Sequence, residues 1–265
     1  MRYIGIKGHK GSGKKSIAWL LGNTMNLIMK GHHVSDNDSF FDIYYDHWCQ
    51  QIISNEDIIY DEFDSYNISF ESFSDSIKIM VRLLTGCPDE YLYDDSYKDN
   101  MVINLKDFSY NHKDLLSNIT LVTAEEMYNS IDKEGEPKVI TKNIWMTFRE
   151  FIMYFGFDVM QRYFGKNVWV KTLNNESICD DLYGDEYYKI FIDVKTPAEA
   201  TYIKDKEGIL INVINKNRKK TSKAQDRLGK ENDEDYYIEV NGDLRSTKDD
   251  IIKIAFNILK SNKNE

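Results

Sequence analysis

Tyr3-Ile4-Gly5-Ile6 reads as a buried strand, and it runs directly into Gly8-His9-Lys10-Gly11-Ser12-Gly13-Lys14-Lys15-Ser16. The apolar residues that follow, Ile17, Leu20, Leu21 and Met25, fall on one face of a helix. Strand, glycine-rich turn and helix in this order read as a phosphate-binding loop. Glycines let the backbone fold around an anion with successive N–H groups pointing inward, and the helix adds the positive end of its dipole. Residues Gly11, Ser12, Gly13, Lys14, Lys15 and Ser16 are therefore the expected donor-nucleotide site, with Lys14 reaching the terminal phosphates. Ser16 stands one place later than the usual hydroxyl and is the expected partner of Mg²⁺, directly or through water. A glycine turn that binds nothing would explain the glycines and leave Lys14 unexplained.

A chain of 265 residues can form one large α/β domain or two small ones, each with a real core. Its net charge of -10 argues against a general nucleic-acid binder, because neutralising phosphates needs an excess of Lys and Arg. Cys49, Cys87 and Cys179, odd in number and far apart, fit a reducing compartment such as the cytoplasm and neither a disulfide framework nor a zinc site. No apolar run is long enough to span a bilayer, and the chain enters its first strand without a signal-peptide core, so no membrane partner is expected.

The pattern predicts a strand over 2–7 and a helix over about 13–30 that stops near Gly31. Residues 35–70 are acidic and aromatic, with helical spacing around Phe40, Phe41, Tyr44, Tyr45 and Trp48. Ser76 to Gly86 is an amphipathic helix that Pro88 prevents from continuing. Between 90 and 140 the pattern weakens to short strands at Asn100–Leu105 and Leu116–Val122. A helix follows over Thr147–Met160, and a shorter one carries Arg162. Tyr187–Ile192 and Ile209–Ile214 read as strands buried on both faces, joined by a helix over Ala198–Lys206, and the last helix is Thr247–Leu259. The fold class is therefore α/β: a mostly parallel sheet with helices on both faces, elaborated over about 35–180 by an acceptor-binding, largely helical region.

Asp193, at the end of its strand, is placed to approach a metal ion beside the phosphates, although with Thr196 and Pro197 behind it a helix-capping role also suits it. Lys216, Arg218, Lys219, Lys220, Lys223, Arg227 and Lys230 are opposed only by Asp226, and this basic segment, about 215–232, reads equally as a lid over a polyphosphate or as a surface loop. Lys78, Arg149, Arg162 and Lys171 are candidate grips for an acceptor phosphate, which Arg can hold with two parallel hydrogen bonds. Trp169 suits the core, or a base or sugar packed on its ring. The five histidines show no ligand spacing.

Taken together these blocks resemble the bacteriophage deoxynucleoside monophosphate kinases, P-loop enzymes whose loop also carries Lys two residues after its first glycine and an extra residue before the hydroxyl. The likeness runs from Gly8-His9-Lys10 through Phe73-Ser-Asp-Ser-Ile-Lys78, Thr147-Phe-Arg149, Gly156-Phe-Asp158 and Val168-Trp169-Val170 to Ile192-Asp193-Val-Lys195, Glu199, Gly208, Asp235-Tyr-Tyr-Ile238 and Asn241-Gly242. The resemblance implies a three-layer α/β/α P-loop kinase domain over 1–265. It also implies Lys14, Arg149 and Asp193 as catalytic residues and Mg²⁺ at Ser16 and Asp193. ATP would be the donor, and the deoxynucleoside monophosphate would be held by Lys10, Lys78, Arg149, Gly156, Asp158, Trp169 and Lys195. The reaction would supply DNA precursors in the cytoplasm, that of the host for a viral chain, and a homodimer is compatible with it. Departures stand at Lys15, where the family often has an acid, at Lys195, where it has Arg, and at Asn212 and Asn215, where it has arginines. These departures leave a second reading, a nucleotide-binding regulatory protein derived from such a kinase with transfer weakened. A guanine-reading switch is disfavoured because Arg218 stands where Asn215-Lys216-Asn217 would need an acid.

Overall fold

From Tyr3 to Lys7 every residue of the first strand is buried, which requires neighbours on both edges and cover on both faces. The computed structural model describes residues 1–9, 11–35, 38–54, 67–116, 119–130, 144–176, 187–215 and 234–260. Its strands are β1 (Arg2–Gly8), β2 (Ile68–Glu71), β3 (Met101–Asn104), β4 (Tyr110–His112), β5 (Trp145–Thr147), β6 (Tyr188–Val194), β7 (Ile209–Asn215) and β8 (Tyr236–Val240). Five of them form a sheet of order β2-β6-β1-β7-β8 with every pairing parallel. The chain is thus α/β, with a parallel central sheet flanked by helices.

Alternation along the strands sorts the two faces. On one, Ile4, Ile6, Ile190, Ile192, Ile211, Val213 and Ile238 pack with Ile17, Leu20, Leu21 and Met25 of the first helix (Lys14–Met29) and with Ile251, Ile254 and Ile258 of the last (Lys248–Lys260). Phe41, Tyr45 and Trp48 of the second helix (Ser39–Ser54) join that core. On the other, Tyr3 stacks on Phe191 (6.0 Å) and Phe73 on Phe191 (4.7 Å), both edge-on to Tyr202 of the helix Pro197–Asp205.

Two units divide the chain, Met1–Phe73 with Glu176–Glu265, and Ser74–Asn175 inserted between them. The expected elaboration over 35–180 is therefore narrower, since residues up to 73 belong with the parallel sheet. The inserted unit has its own antiparallel sheet, β4-β3-β5, and a core of Ile77, Val81, Leu92, Ile103, Met146, Phe148, Phe151 and Trp169. Its helix Asp75–Thr85 ends at Gly86 in the left-handed conformation, as the glycine and Pro88 predict. Of the strand expected over Leu116–Val122, Leu121 makes an isolated bridge, to Trp145. The helix expected over Thr147–Met160 is α-helical only over Phe148–Met153 and then widens to a π-helix over Tyr154–Met160. Among the described residues no helix is long and apolar enough to cross a membrane.

Candidate active site

β1 carries the chain into the glycine turn at the carboxyl edge of the sheet, and the first helix carries it away. A Cβ on Gly8 would lie 2.3 Å from the Val213 carbonyl oxygen of β7 and 2.8 Å from Ser12 Oγ, so only glycine lets the turn pass so close to that strand. Gly13 precedes the helix with φ 95°, and no side chain caps the helix. Its first N–H groups are the kind of donors that anions meet at helix N-termini. The Ser12 N–H donates to the His9 carbonyl at 3.1 Å. Ser12 itself is buried, and among the described residues its hydroxyl has no hydrogen-bond partner.

Lys14 Nζ folds back on the turn and donates to the carbonyls of Gly8 (2.8 Å) and His9 (2.7 Å). Burial pulls its pKa down to about 8; Lys195 pushes the same way and Asp193 opposes them. Lys14, Asp193 and Lys195, which the sequence placed in one site, thus share one electrostatic neighbourhood. Asp193 is firmly held: its Oδ2 accepts from Ser72 Oγ (2.7 Å) and Lys195 Nζ (2.8 Å), and its Oδ1 from the Phe73 N–H (3.0 Å). It does not cap the following helix. Thr196 does so, in a capping box with Glu199, whose Oε2 accepts from the N–H groups of Lys195 (2.6 Å) and Thr196 (2.9 Å). Burial, reinforced by Asp193, pushes the Glu199 pKa up to about 7.

Alternation puts Lys7 on the same sheet face as Tyr3, the side that Tyr202 covers, while the pairing of β6 with β1 shifts register between Phe191 and Val194, beside Asp193. Lys7 is buried in an ion pair with Glu234, which also accepts from the Tyr237 hydroxyl at 2.9 Å. The sequence reading passed over Lys7, Ser72 and Glu234. For Lys7 a signal existed: a lysine closing an apolar strand next to a phosphate loop has to find a buried partner.

The expected Mg²⁺ would draw on Ser16 and Asp193. Lys15, directly after the loop lysine, is exposed, and the hydroxyl expected to meet the ion stands one place later, at Ser16. Ser16, half-buried, lies about 100° further round the helix. Asp193 carries the Lys195 ammonium on its Oδ2. As it stands, the Lys195 ammonium on Asp193 opposes the approach of a divalent ion to that carboxylate.

In the inserted unit the acceptor candidates fall into two groups. Arg149 is held by two carboxylates, its Nε donating to Asp99 Oδ1 (2.5 Å) and its Nη2 to Asp99 Oδ2 and Asp95 Oδ1 (both 3.1 Å). Lys98 Nζ pairs with Asp95 at 2.6 Å, and Lys78 Nζ with Asp75 at 2.9 Å while lying 4.3 Å from the centre of the Tyr93 ring. Burial lowers the Lys98 pKa, and Lys78 and Arg149 press it further, so the three cations form one cluster. Lys98 was not anticipated. Gly156 and Trp169 belong to the core instead: Trp169 is 3% exposed, and its Nε1–H donates to the Gly156 carbonyl at 2.9 Å. The ring offers no open face to a base or sugar. Asp158 is half-buried on the π-helical segment, where its charge helps burial to raise the Tyr154 pKa. Lys10 and the basic segment at 216–230 lie outside the described residues.

No protein-family model matches the chain, and no curated protein matches it significantly.

Proposed function

We propose that the chain is a P-loop phosphotransferase of the three-layer α/β/α kind, moving the γ-phosphoryl group of ATP onto a deoxynucleoside 5′-monophosphate. The observation that carries this reading is Lys14, set on a strand–glycine turn–helix at the carboxyl edge of a parallel sheet and coupled to Asp193 and Lys195. Ligands of open α/β sheets bind at that edge. The turn amides, Lys14 and Lys15 would hold the donor phosphates, and the nucleotide would bring its own Mg²⁺. Arg149, with Lys78, would grip the acceptor phosphate by exchanging carboxylate oxygens for phosphate oxygens of the same geometry. Such transfer is mostly positioning and charge neutralisation, and it requires no protein nucleophile.

The test is ADP release from ATP and Mg²⁺ with each deoxynucleoside monophosphate in turn. We expect release that depends on at least one acceptor, and a loss of about 10²-fold or more in Lys14→Ala, whose circular dichroism stays unchanged. Equal rates in the variant and the wild type would remove the mechanism. A second reading, nucleotide binding without transfer, is favoured by Arg149 being fully engaged by Asp95 and Asp99; ATP binding with no acceptor-dependent release would establish it.

A further inference from the structure

We infer that this site holds the nucleotide's polyphosphate through ammonium groups and gives the accompanying divalent ion no carboxylate, so that ATP binds as well without Mg²⁺ as with it. The inference rests on the nucleotide reading of the loop and goes beyond it. Mg²⁺ in nucleotide sites keeps several waters and takes one or two protein oxygens in addition to the phosphates. The carboxylate from which such an oxygen would come is already paired here: Asp193 Oδ2 accepts from the Ser72 hydroxyl and from the Lys195 ammonium, which occupy both its lone pairs. A divalent ion approaching that oxygen meets a positive charge 2.8 Å from it.

The same lysine that blocks the ion can serve the phosphates in its place. Lys195 is half exposed, is held on Asp193 at the end of β6 beside the strand that carries the turn, and lowers the Lys14 pKa. Lys15 adds a third charge from the first turn of the helix. Lys14, Lys15 and Lys195 together set three positive charges, partly offset by Asp193, against the four negative charges of free ATP.

The experiment is calorimetric titration of ATP into the full chain, once with excess Mg²⁺ and once with excess EDTA, for the wild type, Lys195→Met and Lys195→Arg. For the wild type the two affinities should agree within about threefold. Lys195→Met should bind metal-free ATP about tenfold more weakly and regain a preference for Mg²⁺, because Oδ2 of Asp193 is released, while Lys195→Arg should behave as the wild type. Wild-type binding that tightens about tenfold or more with Mg²⁺ overturns the inference, and a Lys195→Met variant still indifferent to Mg²⁺ overturns the part given to Lys195. Absence of ATP binding in both media by a wild-type chain with an intact circular dichroism spectrum overturns the nucleotide reading itself.

Discussion

Lys14 shows how one residue serves two states of a site. Without an anion, its ammonium satisfies the Gly8 and His9 carbonyls, which holds the turn in shape. With one, the same donors would turn to phosphate oxygens. Partial burial and Lys195 set its pKa at about 8, below the ordinary 10.5, so that charge is carried at neutral pH and lost just above it. Since an anion needs the charged form, ATP affinity should be flat below pH 8 and fall above it, by up to about tenfold per pH unit. Isothermal titration from about pH 7 to 9.5 would show the break. Lys14→Arg, always charged but unable to reproduce both carbonyl contacts, should bind more weakly and without the break.

At the scale of elements, the inserted unit turns on the π-helical segment Tyr154–Met160. In the π segment carbonyls accept from the i+5 N–H, and the indole of Trp169 gives the Gly156 carbonyl a further donor. Trp169→Phe keeps the ring volume roughly but removes that hydrogen bond, at a cost of about 0.5–1.5 kcal/mol. Thermal unfolding should register the loss while ATP affinity stays at the wild-type value. The helix Pro197–Asp205 makes a different case, because its capping box buries a carboxyl group. Glu199 has a pKa of about 7 in the fold against an ordinary 4.5, so between these values the native chain keeps a proton that the unfolded chain releases. Its contribution to stability is complete below pH 4.5 and is lost as pH rises through about 7. Glu199→Gln leaves an oxygen for the Lys195 and Thr196 N–H groups and removes the titration. Urea midpoints of the variant should therefore gain on the wild type from about pH 5 to 7.5.

The same elements show what was legible in the residues. β1, β6 and β7 announce themselves as continuous apolar runs because both their faces are covered, and the glycine turn is fixed by local spacing. β2 is four residues long behind an acidic stretch and exists because β6 offers it an edge, which no local pattern records. The π segment keeps a helical periodicity in sequence, and the close approach of its Gly156 to Ile77, where a Cβ would come within 2.9 Å, is a tertiary contact that no local pattern records. Within the site, Lys14 could be found from motif spacing, Asp193 from its place at a strand end, and Lys195 through the family resemblance. Ser72, whose hydroxyl fixes Asp193 from 121 residues away, could not.

Among the described residues the molecule has two hydrophobic cores, one under the parallel sheet and one in Ser74–Asn175. A segment with its own core opens as its own cooperative unit, so a ligand that binds only that unit protects only its amides. This gives the division of labour a test that does not depend on turnover. At a concentration of about a hundred times Kd a ligand adds about 2.7 kcal/mol to the unit it binds, and amides that exchange through its opening slow about a hundredfold. ATP should slow hydrogen exchange in β1, β6 and β7, and a deoxynucleoside monophosphate should slow β3 and the helix Phe148–Met153 that carries Arg149. In Lys14→Ala the first pattern should disappear and the second persist, because Lys14 lies in one unit and Arg149 in the other. Protection of the parallel sheet by the monophosphate alone would take the acceptor away from Arg149, Lys78 and Lys98. Their ion pairs with Asp99, Asp75 and Asp95 would then be what holds the inserted unit together, with no further duty.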